Sequence, residues 1–145
     1  MITYPKVLFP VDFSKQSPMV AEHAATMVDK FGSELHLVHV IARYEGPTFS
    51  SVSDVIDQIK KNVHKEIDAF AAAHFPNVAQ VKTSVLVGHS GRQILNYIDR
   101  HNISLVVMGT HGRSGLGAVF FGSVAQRVVQ NAKVPVLTVH PVRED

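Results

Sequence analysis

The sequence predicts a doubly wound α/β domain, a single five-stranded parallel sheet with helices on both faces. Two observations carry that reading. Five short runs rich in Val, Leu and Ile alternate with segments whose apolar residues recur at helical spacing. Within the runs, consecutive positions are apolar, as in strands covered on both sides. The 145 residues, 46% of them hydrophobic, make one domain spanning 1–145.

The elements follow in order. Lys6-Val7-Leu8-Phe9-Pro10-Val11 reads as a strand. Ser17-Pro18 marks a helix start, with Ser17 as cap and Pro18 at the first helical position. Met19, Val20, Ala24, Met27, Val28 and Phe31 form its inner face, and Gly32 ends it. Leu35 to Ile41 is the second strand, and residues 42–52 read as a loop with Gly46 and Pro47. A long helix follows, capped by Ser51 or Ser53 and closed by Pro76-Asn77. Val55, Ile56, Ile59, Val63, Ile67 and Phe70 mark its buried side. Val81 to Val87 is the third strand. After the turn Gly88-His89-Ser90-Gly91, Ser90 and Gln93 have capping-box spacing, and Ile94, Leu95 and Ile98 face inward. Ser104 to Met108 is the fourth strand. A glycine-rich segment, 109–121, leads to a last helix from Ser123 to Asn131 and a fifth strand from Val134 to Val139. Parallel neighbours joined this way are expected to be connected by right-handed crossovers.

Composition excludes several functions. Without cysteine there is no disulfide framework, thiolate zinc site, iron–sulfur cluster or cysteine nucleophile. Fourteen Lys and Arg against twelve Asp and Glu leave a net charge of +2, too mild to imply nucleic-acid binding. Lys60, Lys61 and Lys65 are the only basic cluster; with Glu66 and Asp68 beside them they read as a solvated helix face. No apolar run approaches the roughly 18 residues of a membrane span. Met1 to Lys6 does not open a signal peptide, so a cytoplasmic protein without membrane partners is expected. Of the nine histidines, His36 and His39 point to opposite faces of one strand, and no helical pair brackets a glutamate. No metal site is expected from them. No Gly-x-Ser-x-Gly elbow occurs, and the third strand ends at Val87-Gly88 without the aspartate of a phospho-receiver.

In an open parallel sheet, ligands bind beyond the carboxyl ends of the strands, where strand order reverses. Two segments are candidates. Asp12, after Pro10-Val11, is either an acceptor for a ligand's amino or hydroxyl group or a turn and capping aspartate. The segment Gly109 to Ser123 has the glycines that let backbone approach a ligand, and it opens a helix whose free N–H groups and dipole suit phosphate. Ser123 adds a hydroxyl and Arg113 a charge. It is neither a Walker A loop nor the dinucleotide fingerprint. Val119-Phe120-Phe121 reads as a lid, a partner surface or a buried helix lead-in.

The pattern Gly109-x2-Gly112-x9-Gly122-Ser123 resembles the nucleotide-binding signature of the universal stress protein family, in its nucleotide-binding branch. Pro10-Val11-Asp12-Phe13-Ser14, Gly88-His89-Ser90-Gly91, Val106-Val107-Met108-Gly109 and Val134 to Val139 are similar to further family motifs, so the resemblance spans essentially the whole chain. It implies the strand order 3-2-1-4-5 of the adenine nucleotide alpha hydrolase-like fold, with ATP between strands one and four. It implies that Asp12, with Pro10 and Val11, contacts the adenosine part and that Val40 lines the adenine pocket. Met108, Gly109 and Gly112 then approach ribose and phosphates, with His111 and Arg113 as further ligand contacts. Gly122, Ser123 and the Val124 backbone hold phosphates. Mg²⁺ commonly accompanies a triphosphate through its oxygens; no carboxylate cluster dedicated to it is visible.

In that order the fifth strand is an edge. Pairing Val134, Val136, Leu137 and Val139 with a second copy removes an aggregation hazard, and the resemblance also implies a homodimer. The expected function is an ATP-dependent switch or sensor in stress response, with loop 110–121 ordering over the phosphates and changing the surface shown to an unidentified protein partner. No catalytic residue is assigned. Slow ATP hydrolysis, self-phosphorylation on Ser123 or Ser114, and a nucleotide-independent interaction or chaperone-like dimer stay open as alternatives.

Overall fold

Alternation along each strand decides the architecture. The structure, a computed structural model, describes residues 1–42, 50–110 and 121–140, and for 50–52 the backbone only. Its elements are β1 (Lys6–Pro10), α1 (Ser17–Phe31), β2 (Glu34–Ala42), α2 (Ser50–His74), β3 (Val81–Gly88), α3 (Ser90–Arg100), β4 (Leu105–Gly109), α4 (Ser123–Asn131) and β5 (Val136–Val139). The sheet is parallel throughout, in the order β3-β2-β1-β4-β5.

Successive side chains of a strand point to opposite faces. Val7 and Phe9 of β1, Leu35 and Leu37 of β2, and Leu105 and Val107 of β4 therefore join one core, with Val20, Ala24 and Val28 of α1 and Ile67 of α2. Leu8, Val38, Val106 and Met108, their neighbours in sequence, join a second core against α3 and α4. That is why the central runs are apolar at every position. Each fully buried Val, Leu or Phe side chain contributes roughly 1.5–3 kcal/mol relative to exposure.

The helix ends show where local signals competed. Gly32 ends α1 as expected, in the left-handed conformation at φ 62°, its N–H bonded to the Val28 carbonyl. Ser17 does not cap α1. The cap position is Gln16, Pro18 lies in the first turn as predicted, and the Ser17 hydroxyl donates to Asp12. The capping box at Ser90 is displaced by one: His89 is the cap residue, and its Nδ1 accepts from the Arg92 N–H at 3.3 Å. The predicted inner face of α2 holds at Ile67, but Val55 and Ile59 are 57% and 41% exposed because the first turns of this 25-residue helix run past the core. Phe31 is also exposed, edge-on to Tyr4 at 4.8 Å.

Candidate functional site

The sheet order reverses at β1, which has β2 on one side and β4 on the other. A crevice opens there beyond the carboxyl ends of the strands. The first wall begins where β1 ends. The Val11 N–H bonds the Val38 carbonyl at 2.8 Å and keeps the chain in line with β2. Asp12 follows. Its Oδ1 accepts from the Ser14 N–H and from the Ser17 hydroxyl, each at 2.9 Å. The carboxylate thus ties the turn after β1 to the first residue of α1, while it also lines the crevice. Phe13 is held at φ 57°, a conformation uncommon for a bulky residue. Its ring packs on His39 at 4.8 Å and on Phe70 at 6.1 Å. The Nδ1 of His39 lies 2.7 Å from the Val11 carbonyl. A carbonyl only accepts, so Nδ1 is the donor in this bond.

The second wall is made by β4 and α4. The Thr110 N–H bonds the Val139 carbonyl at 3.0 Å, and the Gly122 N–H bonds the Thr110 carbonyl at 2.6 Å. These bonds set the two ends of the glycine-rich segment side by side. Gly122 is the cap residue of α4. Among the described residues no side chain caps this helix, and its first turn carries no acidic residue. Gln126 is the first residue to donate back into the helix, to Gly122 at 2.9 Å. The earlier N–H groups have no helical acceptor, and the positive end of the dipole faces the same way.

Between the walls lies a cavity of about 610 Å³, in the range of small-ligand sites. The structure brings Pro10, Val11, Asp12, Val40, Met108, Gly109, Gly122, Ser123 and Val124 together around it. His111, Gly112, Arg113 and Ser114 lie outside the described residues, as do Val119 and Phe120. Phe121 is described and is 48% exposed. Sequence reasoning missed several lining residues: His39, Ile41 and Ala42 on β2, Thr110 just after β4, Ser90 and Ile94 on α3, and Ile59, Val63 and Glu66 on α2. Extending the strand-end rule to β2 would have found the first group. Nothing in the periodicity of α2 says that its third to fifth turns roof a cavity.

The other predicted histidine behaves differently. His36 is 1% exposed, on the face of β2 opposite His39 and toward the amino end of the sheet. Its Nδ1 shares a 2.6 Å hydrogen bond with the Tyr97 hydroxyl. Its Nε2 lies 2.9 Å from Glu34 Oε1, a close approach without hydrogen-bond alignment. Burial pushes the His36 pKa down, with Glu34 opposing, and burial pushes Tyr97 up. Glu34, also 3.0 Å from Lys82, is held below the usual carboxylate value, the lysine being the largest cause. Among the described residues no three His, Asp or Glu side chains gather to hold a metal, and no helix is long and apolar enough to cross a membrane. At the β5 edge, Leu137 is 37% exposed and Val139 is buried.

Comparison with known proteins agrees with this architecture. A model of the universal stress protein family matches residues 3–140. Universal stress protein MJ0531 of Methanocaldococcus jannaschii is 28% identical over 149 aligned positions, covering 98% of this chain and 85% of that protein. The solved structure of MJ0577 from the same organism superposes with a TM-score of 0.81 at 25% identity, covering 99% of this chain and all of that one. Two more distant structures, sharing the fold at 23% and 19% identity, carry small ligands. One is an Archaeoglobus fulgidus universal stress protein in complex with dAMP (TM-score 0.64, covering 95% of this chain and 98% of that one), the other a universal stress protein in complex with cAMP (TM-score 0.70, covering 96% and 99%).

Proposed function

The chain belongs to the universal stress protein family, and from that premise we propose that its crevice binds an adenine nucleotide, ATP with Mg²⁺, as the switch of a cytoplasmic stress-response protein. The observation that carries the proposal is the uncapped start of α4 facing the same cavity as Asp12 and the end of β2. Free N–H groups at a helix start, unopposed by acidic side chains, are complementary to phosphate. On the other side, the apolar stretch from Val38 to Ala42 suits a flat base, and the Asp12 carboxylate accepts from hydroxyl or amino groups. In this reading Val40, Pro10 and Val11 frame the adenine, and Met108 and Gly109 lie along the ribose. Gly122, Ser123 and Val124 hold the phosphates, with His111, Gly112 and Arg113 completing the site from the segment between. Two neighbours of the same fold, in complex with dAMP and cAMP, support the choice of an adenine nucleotide. The switch passes to an unidentified protein partner, and a homodimer forms through Val136, Leu137 and Val139 of the β5 edge and Val134 just before it.

The test is a titration of ¹⁵N-labelled protein with ATP and Mg²⁺. The expected result is amide shifts at Val40, Gly109, Ser123 and Val124 that saturate together. Shifts confined to other surfaces, or none at millimolar ATP, overturn the assignment.

A further inference from the structure

The lysine cluster read from sequence as a solvated helix face has a second aspect in the fold. Lys60, Lys61, His64 and Lys65 of α2 line a groove of about 670 Å³ whose other wall is the middle of β3, Thr83 to Leu86. Among the described residues no carboxylate lines it. Asp68, on α2, is engaged by the Thr83 hydroxyl at 2.7 Å and lies 3.8 Å from His64 Nε2.

Among the described residues β3 is an edge strand, paired only with β2. The Leu35 N–H bonds the Gln80 carbonyl at 2.9 Å, so residue 80 directs its main-chain groups toward β2. In a parallel ladder every second residue does the same. The main-chain N–H and C=O groups of Val81, Thr83, Val85 and Val87 therefore face outward, along the groove.

We propose that this groove docks an acidic peptide segment in extended conformation, added to the sheet beside β3. The edge supplies main-chain pairing and the lysines supply the charge preference. A peptide is favoured over single-stranded nucleic acid because no aromatic side chain lines the groove to stack a base. It is favoured over a second copy of this chain, because β3 pairing with its own symmetry mate brings two sets of the same lysines together. The proposal is independent of the nucleotide reading, whose cavity shares no lining residue with this groove.

The experiment titrates ¹⁵N-labelled full chain with an acetylated octapeptide of alternating glutamate and threonine, with and without ATP. The expected result is saturable binding, weakened by salt, with hydrogen exchange slowed at Val81, Thr83, Val85 and Val87 and unchanged at Lys82 and Ser84. Combining Lys60→Glu, Lys61→Glu and Lys65→Glu, all on exposed positions, is expected to lower affinity about tenfold or more with an unchanged circular dichroism spectrum. Absence of binding at millimolar peptide overturns the proposal. So does binding that shifts α2 alone, binding equalled by oligothymidylate, or dimerisation of the free chain through β3.

Discussion

Asp12 offers a sharp separation of structure from binding. Asp12→Ala removes the acceptor of the Ser14 N–H and of the Ser17 hydroxyl, and Ser17 is only 3% exposed. Hydrogen bonds to a charged group contribute about 1.5–3 kcal/mol each when buried; partial exposure reduces the pair to about 2–4 kcal/mol. For a chain of this size that lowers Tm by roughly 6–15 °C. Asp12→Asn keeps an acceptor oxygen at Oδ1, loses the charge and exchanges the second oxygen for an amide donor, so its cost stays below about 1.5 kcal/mol. Urea unfolding followed by circular dichroism measures both. Nucleotide titration of the same variants reads the other role: Asp12→Asn is expected to weaken ATP about tenfold while remaining folded. An Asp12→Ala protein as stable as the parent refutes the turn-organising argument. An Asp12→Asn protein with unchanged ATP affinity refutes the ligand contact and leaves the residue a turn aspartate.

Two further outcomes follow from other positions. Gly88 sits at φ 140°, where an added Cβ also comes within 2.9 Å of the Gln93 side chain, so Gly88→Ala is expected to cost about 1–3 kcal/mol in urea unfolding; a neutral substitution contradicts the strained conformation. His36 has a folded pKa below its ordinary 6.5, so the unfolded chain binds the extra proton first: stability is complete above about pH 6.5 and falls as the pH drops below it, with Glu34 adding a second loss below its ordinary 4.5. The urea midpoint is expected to decline between pH 7 and 5, and to decline less in His36→Gln; identical slopes for the two proteins contradict the buried, neutral imidazole.

Much of the fold was legible because strand alternation and helix punctuation act locally. Val7-Leu8-Phe9 and Leu105-Val106-Val107-Met108 announce strands covered on both faces, and Gly32 marks a helix end that only its left-handed conformation explains. Ser17 misled for a physical reason. Ser17 already lies inside the helix, with Gln16 at the cap position, and its hydroxyl donates to the carboxylate five residues earlier. His89 likewise displaced Ser90 as cap through a ring nitrogen. At the crevice, the strand-end and helix-start residues were readable because topology alone sends them there. Ile59, Val63 and Glu66 were not, since their arrival depends on how α2 crosses the sheet, which helical periodicity does not encode. The groove beside β3 was hidden in the same way: its lysines are visible in sequence, and their neighbour is not.

The central claim is that the crevice between β1 and β4 is an adenine-nucleotide site. Its most direct test is calorimetric titration of nucleotide-free protein with ATP and Mg²⁺, repeated with GTP. The account predicts one saturable site per chain, with ATP bound more tightly than GTP and the heat lost in Gly122→Val. No heat at millimolar ATP, or equal binding by the glycine variant, contradicts it.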